Sequence, residues 1–319
     1  MTMLRERLKP SISARVAVVG LGWTGQSFGL ALRQALPALM VTGHDRDANA
    51  RKTAEKAGAV HKTHWNLISA TDGAGIVVLA LPAHEALVTM RALAQELAPG
   101  TVVTDTAAVK APLAAWASDN SLANAYYVGG HPLARRTAEP SASAFAGATY
   151  CLTPSPVANP GAVSVVTELV GILGANAMFL DPEEHDGLMA GLQYLPALAA
   201  AINVQILEDS QAHKDLHWLR EALPAEVITL AEHFGATVGS ETMPAGREAL
   251  VHWLDRYLAA LGEMRAVLSA GDGEKLGEVL DKSEDAVGRW LTRPRHDDCE
   301  SAAETRTLGG SWRRLLGMR

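Results

Sequence analysis

Ala14-Arg15-Val16-Ala17-Val18-Val19-Gly20-Leu21-Gly22-Trp23-Thr24-Gly25 reads as a buried strand running straight into a glycine-spaced turn. Val16, Val18 and Val19 form the short β-branched run that a strand covered on both faces requires. Gly20 permits a tight turn. Gly22 leaves no Cβ in the way of a pyrophosphate, and Gly25 lets the next helix pack close to the strand. That helix, opening through Trp23 and Thr24, turns its first N–H groups and positive dipole end toward the phosphates. An acid closes the unit. Val41-Thr42-Gly43-His44-Asp45 reads as a second strand ending in Asp45, 20 residues beyond Gly25, the distance at which a carboxylate takes the ribose hydroxyls of NAD. Leu21 completes the expected cofactor turn. Asp45 repels a 2′-phosphate and favours NAD, whereas the adjacent Arg46 can pair with one, so NADP stays as the alternative.

Composition sets the frame around this unit. A chain of 319 residues is long for one core and comfortable for two domains. With 48% hydrophobic and 20% charged residues it has the make-up of a soluble globular protein. The net charge of -7 argues against a nucleic-acid surface, which needs clustered positive charge. Two cysteines, Cys151 and Cys299, stand far apart, which fits a reducing cytoplasm and excludes a disulfide framework. The start, MTMLRERLKP, has no apolar core of a signal peptide. The longest apolar stretch, Leu195 to Leu207, is broken by Asn203 and Gln205 and is too short to span a membrane.

Further strands are expected at Gly75 to Pro82, Thr101 to Asp105, Ala125 to Gly130, Thr149 to Pro154 and Asn176 to Leu180, with helical segments between them. That alternation indicates an α/β protein whose N-terminal part is a Rossmann-like, doubly wound parallel sheet. Leu81 and Pro82 end one strand and Asp105 ends the next; ligands bind outside such carboxyl ends, so all three are expected at the cofactor. At Asp181-Pro182-Glu183-Glu184 the character changes to helix, with Asp181 as N-cap and Pro182 in the first helical position. The expected division is a dinucleotide-binding domain over 1–181, an all-α domain over 182–292 and a tail over 293–319. Trp253, Tyr257, Ala260, Met264 and Val267 form one apolar stripe, and Leu250, Leu254, Leu258, Leu261 and Leu268 form its neighbour. So wide a face must be buried against other helices, which points to a dimer through this domain.

His131, in Val128-Gly129-Gly130-His131-Pro132-Leu133, is expected in a glycine-loosened loop after a strand, facing the nicotinamide crevice. A neutral imidazole there can accept a substrate hydroxyl proton while hydride leaves the same carbon; the plainer alternative is a loop histidine that is merely hydrogen-bonded. Glu183, Glu184, His185 and Asp186 suggest a metal cluster, but consecutive helical residues point about 100° apart, so a capped helix start is the better reading. His213 and His217 are spaced like a zinc pair yet have no third ligand, and no metal is expected.

The chain resembles the prephenate and arogenate dehydrogenase family of tyrosine biosynthesis from about Arg15 to Leu291. The resemblance rests on Gly20-Leu21-Gly22-Trp23-Thr24-Gly25, Thr104-Asp105-Thr106-Ala107-Ala108-Val109-Lys110, Gly129-Gly130-His131-Pro132-Leu133-Ala134, Glu184-His185-Asp186 and Leu195-Pro196. It implies NAD-linked oxidation of a cyclohexadienyl acid with loss of carbon dioxide, dimers joined through the helical domain, and His131 as the catalytic histidine. It also places Ala108, Lys110, Arg135, Arg136, Gln193 and Tyr194 near the substrate.

Several of these positions depart from the family pattern. Ala108 stands where serine is usual, and Gln193-Tyr194-Leu195-Pro196-Ala197 replaces Ser-His-Leu-Pro-His. No Gly-Phe-Arg-Asp segment lies between Arg220 and Arg247, and Arg135 and Arg136 stand where glycine is preferred. Loss of the arginine removes a charge-assisted hydrogen bond worth about 1.5–3 kcal/mol, which Arg135 or Arg136 can replace. The expectation is therefore a prephenate-type dehydrogenase. Arogenate or another altered substrate, and a non-catalytic NAD-binding sensor or scaffold, are the alternatives.

Overall fold

The structure, a computed structural model, describes residues 15–119, 122, 125–155, 158–237 and 243–292. The tail expected beyond Arg293 lies outside these residues. Eight strands form one sheet: β1 (Arg15–Val19), β2 (Met40–His44), β3 (Lys62–His64), β4 (Ile76–Leu79), β5 (Val102–Asp105), β6 (Tyr126–Pro132), β7 (Thr149–Thr153) and β8 (Asn176–Phe179). Their order is β3-β2-β1-β4-β5-β6-β7-β8, with the sequence direction reversing outward from β1 as a doubly wound sheet requires.

The pairings from β3 across to β6 are parallel, with Val18 opposite Gly43 and Val78, and Val103 opposite Tyr127. β7 departs from the expected all-parallel sheet. It runs antiparallel to β6, with His131 opposite Cys151. The segment between them, 133–148, contains turns and no helix, and a parallel return needs a crossover of a dozen or more residues that is usually helical. β3 is a further strand that the hydrophobic pattern does not reveal. Lys62-Thr63-His64 has no apolar residue and lies at the sheet edge, where no second face needs covering.

The core lies between the sheet and its flanking helices. Val16, Val18, Val41, Ile76 and Val78 meet Phe28 and Leu32 of the helix Trp23–Ala35, and Val163, Val166, Leu169 and Val170 of the helix Pro160–Ile172. Phe28 and Phe145 meet edge to face, 5.8 Å between centroids. Burying each such side chain contributes roughly 1.5–3 kcal/mol before entropy is counted.

From Pro182 onward every described regular element is helical. Asp181 caps the first of these helices through Oδ1, which accepts the Glu183 N–H at 2.9 Å. Pro182–Met189 continues through a π turn, Ala190–Tyr194, into Leu195–Glu208. The reason for the turn is local. Pro196 lacks an N–H, and its ring would press on the carbonyl four residues back in a regular helix; widening to the i→i+5 bond from Leu195 N–H to the Ala190 carbonyl makes room. The whole run, Pro182–Glu208, has 27 residues and a mean hydropathy of 1.3, enough by length and composition to cross a membrane. It is longer than the stretch from Leu195 that the sequence suggests. Its first half, however, carries His185, Asp186 and Tyr194, all buried and bonded to one another or to the loop after β5.

By packing, one compact unit extends to Glu248 and a second begins at Ala249. The second is helix to Ala270, a turn at Gly271 with φ of 63°, and the helix Gly273–Thr292. Of its two apolar stripes, Trp253, Leu254, Met264 and Val267 are half-buried, whereas Tyr257, Leu258, Leu261 and Leu268 are exposed.

Candidate active site

The carboxyl ends of β1, β2 and β4 open into one cleft. Gly20, Gly22, Asp45, Arg46, Leu81 and Pro82 line it, together with Val19, His44, Leu67, Ala80, Glu85 and Thr89. Gly20 has φ of 90°, and a Cβ there would lie 2.3 Å from the Ala80 carbonyl oxygen. At Gly25 a Cβ would come within 1.9 Å of the Gly20 carbonyl oxygen, so this helix approaches the strand as closely as glycine alone permits. At Gly22 a Cβ would meet nothing within 4 Å. The helix Trp23–Ala35 starts at Gly22 with no side-chain cap and no acidic residue in its first turn. Open space above Gly22 and a helix start free of internal anions together fit the pyrophosphate of a dinucleotide.

The other expected cofactor residues surround this cleft without lining it. Leu21 is fully buried, and its N–H donates to Asp45 Oδ2 at 2.7 Å. Trp23 is half-buried, with Nε1 donating to the Glu139 carbonyl at 3.2 Å; Thr24 is half-buried and Gly25 buried.

His131 sits inside β6 rather than in a loop beyond it. β5 ends at Asp105, and β6 extends past it because β7 supplies antiparallel partners for residues 129–132. Only 6% of His131 is exposed. Burial above all, with His185 and Lys110 adding to it, holds its pKa well below the usual 6.5. The imidazole is therefore neutral near pH 7. Its Nδ1 lies 3.0 Å from Nε2 of His185, whose own Nδ1 lies 2.9 Å from Asp186 Oδ1. Asp186 in turn accepts the N–H groups of Lys110 at 2.8 Å and Ala111 at 2.9 Å. In the sequence His185 and Asp186 read as part of a helix start and of a family motif; the structure adds their contacts with His131 and with the Lys110 and Ala111 N–H groups. Cβ atoms of consecutive helical residues do diverge, but the rings and carboxylates they carry are long enough to meet.

Two expected ligands change role. The side chains of Asp105 and Lys110 are fully buried and paired with each other, so neither lines the cleft. Asp105 also accepts from the Ala107 N–H at 2.8 Å and from Tyr127 Oη at 2.7 Å, while Lys110 Nζ donates to the Gly130 carbonyl at 2.7 Å. This cluster ties the ends of β5 and β6 together directly beneath His131. Burial pulls the Lys110 pKa down against the opposing pull of Asp105, and pushes that of Tyr127 well up.

Tyr194, in the π turn, donates through Oη to the Ala108 carbonyl at 2.7 Å. Burial raises its pKa. Gln193 and Ala108 are half-buried. Arg135 and Arg136 are exposed, and the Arg136 guanidinium lies 5.8 Å from the Trp23 ring centroid, which brings it toward the helix start of the cofactor turn. His217 is exposed, 3.5 Å from Arg220 Nη1, and the side chain of His213 lies outside the described residues.

Residues 28–179 match the family model of the prephenate dehydrogenase nucleotide-binding domain. The chain is 25% identical over 281 residues to a prephenate dehydrogenase of Bacillus subtilis (strain 168), covering 85% of this chain and 74% of that protein. It is 23% identical over 292 residues to a cyclohexadienyl dehydrogenase of Zymomonas mobilis, covering 90% and 99%. Its fold matches that of prephenate dehydrogenase from A. aeolicus in complex with hydroxyphenyl propionate and NAD+, with a TM-score of 0.76 at 19% identity over 88% of this chain and 99% of that one. A nucleotide-binding-domain match over 28–179, a doubly wound sheet with helices after it, and these relatives together support the prephenate and arogenate dehydrogenase family.

Proposed function

We propose that the protein is an NAD-dependent dehydrogenase that oxidises prephenate, or a close cyclohexadienyl relative, with loss of carbon dioxide. The observation that carries this reading is the neutral, buried His131 at the same carboxyl edge of the sheet as a cleft shaped for a dinucleotide. His131 Nδ1 is engaged with His185, which leaves Nε2 for the substrate. The ring hydroxyl gives its proton to Nε2 as the C–H bond at the same carbon breaks and a carbonyl forms. Bound NAD supplies the acceptor for that hydride. The ring carboxylate leaves as carbon dioxide, and its electron pair enters the ring, which becomes aromatic. The resulting phenolate then recovers the proton from His131. A depressed pKa suits this return, because the protonated ring is a ready donor.

Arogenate or another altered substrate is the second reading, and Ala108 favours it. That position offers a substrate only a methyl group, and its carbonyl is already taken by Tyr194. Arg135 and Arg136, both exposed on the segment after His131, are the cations we assign to a substrate carboxylate. We further propose a cytoplasmic homodimer joined through the C-terminal helices, supported by the exposed Tyr257, Leu258, Leu261 and Leu268.

The test is NAD reduction with prephenate and arogenate side by side, using the full chain and His131→Ala. Turnover should fall about 10²–10⁴-fold in the variant while NAD affinity stays unchanged, because the glycine turn and Asp45 hold the cofactor. A His131→Ala protein that turns over normally overturns the mechanism. Turnover of arogenate alone selects the second reading.

A further inference from the structure

We propose that His185 and Asp186 are positioning residues that dictate which nitrogen of His131 carries the proton, an inference that rests on His131 acting as the base. The argument starts at the far end of the chain of contacts. Asp186 is 2% exposed and is held at the start of the helix Ala111–Asp119 by two backbone donors, Lys110 N–H on Oδ1 and Ala111 N–H on Oδ2. Backbone N–H groups can only donate, so the carboxylate meets them as an acceptor. Its third contact is His185 Nδ1 at 2.9 Å, and the hydrogen there sits on the imidazole. A His185 that carries its single hydrogen on Nδ1 has a bare Nε2, which can only accept. The group facing it at 3.0 Å is His131 Nδ1, which must donate.

One consequence follows for the base. The hydrogen of neutral His131 is committed to Nδ1, so its lone pair lies on Nε2, where a substrate proton must be taken. The opposite tautomer of His131 would set two lone pairs against each other in a buried site. The arrangement also serves the step after proton uptake. The imidazolium keeps its Nδ1–H on His185, and the Asp186 carboxylate lies one ring further along. In a catalytic triad, replacing the orienting carboxylate by an amide installs the wrong tautomer and lowers turnover about 10⁴-fold. Here the orienting group acts through two rings instead of one.

The experiment uses the full-length protein with ¹⁵N-labelled histidine, and it reads the tautomer without any substrate. His131, assigned by the peaks lost in His131→Gln, should show a protonated Nδ1 and a bare Nε2. His185→Gln keeps an acceptor for the His131 Nδ1–H and should retain both that tautomer and most of kcat. His185→Leu removes the acceptor, should populate the Nε2–H form and should lower kcat at least about ten-fold, with KM for NAD within about two-fold. A protonated His131 Nε2 in the unmodified protein overturns the proposal, as does full kcat in a folded His185→Leu. Should His185→Leu fail to fold, the unmodified protein and His185→Gln still decide it. If neither prephenate nor arogenate is turned over, the reaction assigned above fails while the spectrum still establishes or rejects the tautomer.

Discussion

The backbone N–H of Leu21 donates to Asp45 Oδ2 across 2.7 Å, so the acid that follows the second strand is tied to the glycine turn that ends the first. Asp45 Oδ1 likewise accepts the Asp47 N–H at 2.8 Å. Each carboxylate oxygen can accept more than one hydrogen, and Asp45 lines the cleft while holding both. The acid therefore shapes the turn and still presents its charge to the cleft.

Asp45→Ala should remove both effects. NAD affinity should fall by about 1.5–3 kcal/mol, the worth of a charge-assisted bond, and the preference for NAD over NADP should narrow. Isothermal titration with the two cofactors measures this. Tighter binding of NADP by the unmodified protein would show that Arg46, exposed beside Asp45, outweighs the carboxylate.

Breaking the buried pair of Lys110 and Asp105 from one side should cost stability. Both side chains are fully buried, so Lys110→Met strands a carboxylate and Asp105→Asn strands an ammonium. Either single change should destabilise by about 3–5 kcal/mol. The double change should cost less than the sum of the two, because no orphaned charge remains. Urea midpoints of the four proteins test the cycle, and additive losses would show that the pair is not coupled.

Acid should spare catalysis longer than an ordinary histidine allows. Burial first, then His185 and Lys110, depress the His131 pKa well below 6.5, so the neutral, proton-accepting form persists as pH falls through that value. The acid limb of kcat/KM should lie below pH 6.5. Stability has the opposite liability. Below 6.5 the unfolded chain binds a proton that the buried ring refuses, so the His131 contribution favours unfolding increasingly as pH drops. An acid limb at or above 6.5 would contradict the burial.

The helical unit beginning at Ala249 should dimerise. Leu258, Leu261 and Leu268 are 56%, 48% and 59% exposed, on the apolar stripes that need cover. Light scattering at micromolar concentration should give twice the chain mass, with an interface above about 1,000 Å². Leu261→Glu should shift the population toward monomer. A monomeric unmodified protein would count against the dimer.

Local chemistry made most of the sheet legible. Val16 to Val19, Ile76 to Leu79 and Val102 to Val103 are apolar runs rich in β-branched residues, the pattern of a covered strand. Lys62-Thr63-His64 carries no such mark, since an edge strand of three residues is held by ladder bonds to β2 and not by its side chains. The direction of β7 was equally hidden, because it depends on what the 133–148 segment fails to form. His131 could be singled out by its glycine neighbours and by family resemblance. The partners of its ring could not, because His185 lies 54 positions away and reaches it only through the packing of its helix against β7 and the start of the helix Ala111–Asp119. Asp105 and Lys110 misled for a related reason. Charged residues after a strand suggest ligands, and only the fold shows that they satisfy each other.

The π turn at Ala190–Tyr194 has a consequence for how this fold tolerates insertions and deletions. A π turn is an α-helix with one residue too many, so deleting a single residue between 190 and 194 would restore the ordinary period. The helix Leu195–Glu208 would then keep its phase relative to Pro182–Met189, because the wide turn absorbs the extra residue locally. Pro196 would clash with the carbonyl four residues before it, and the wide turn that carries Tyr194 to the Ala108 carbonyl would be lost. A one-residue deletion, harmless in most surface loops, would here leave the helix phase intact but remove the room that Pro196 needs, so this short stretch should tolerate it poorly.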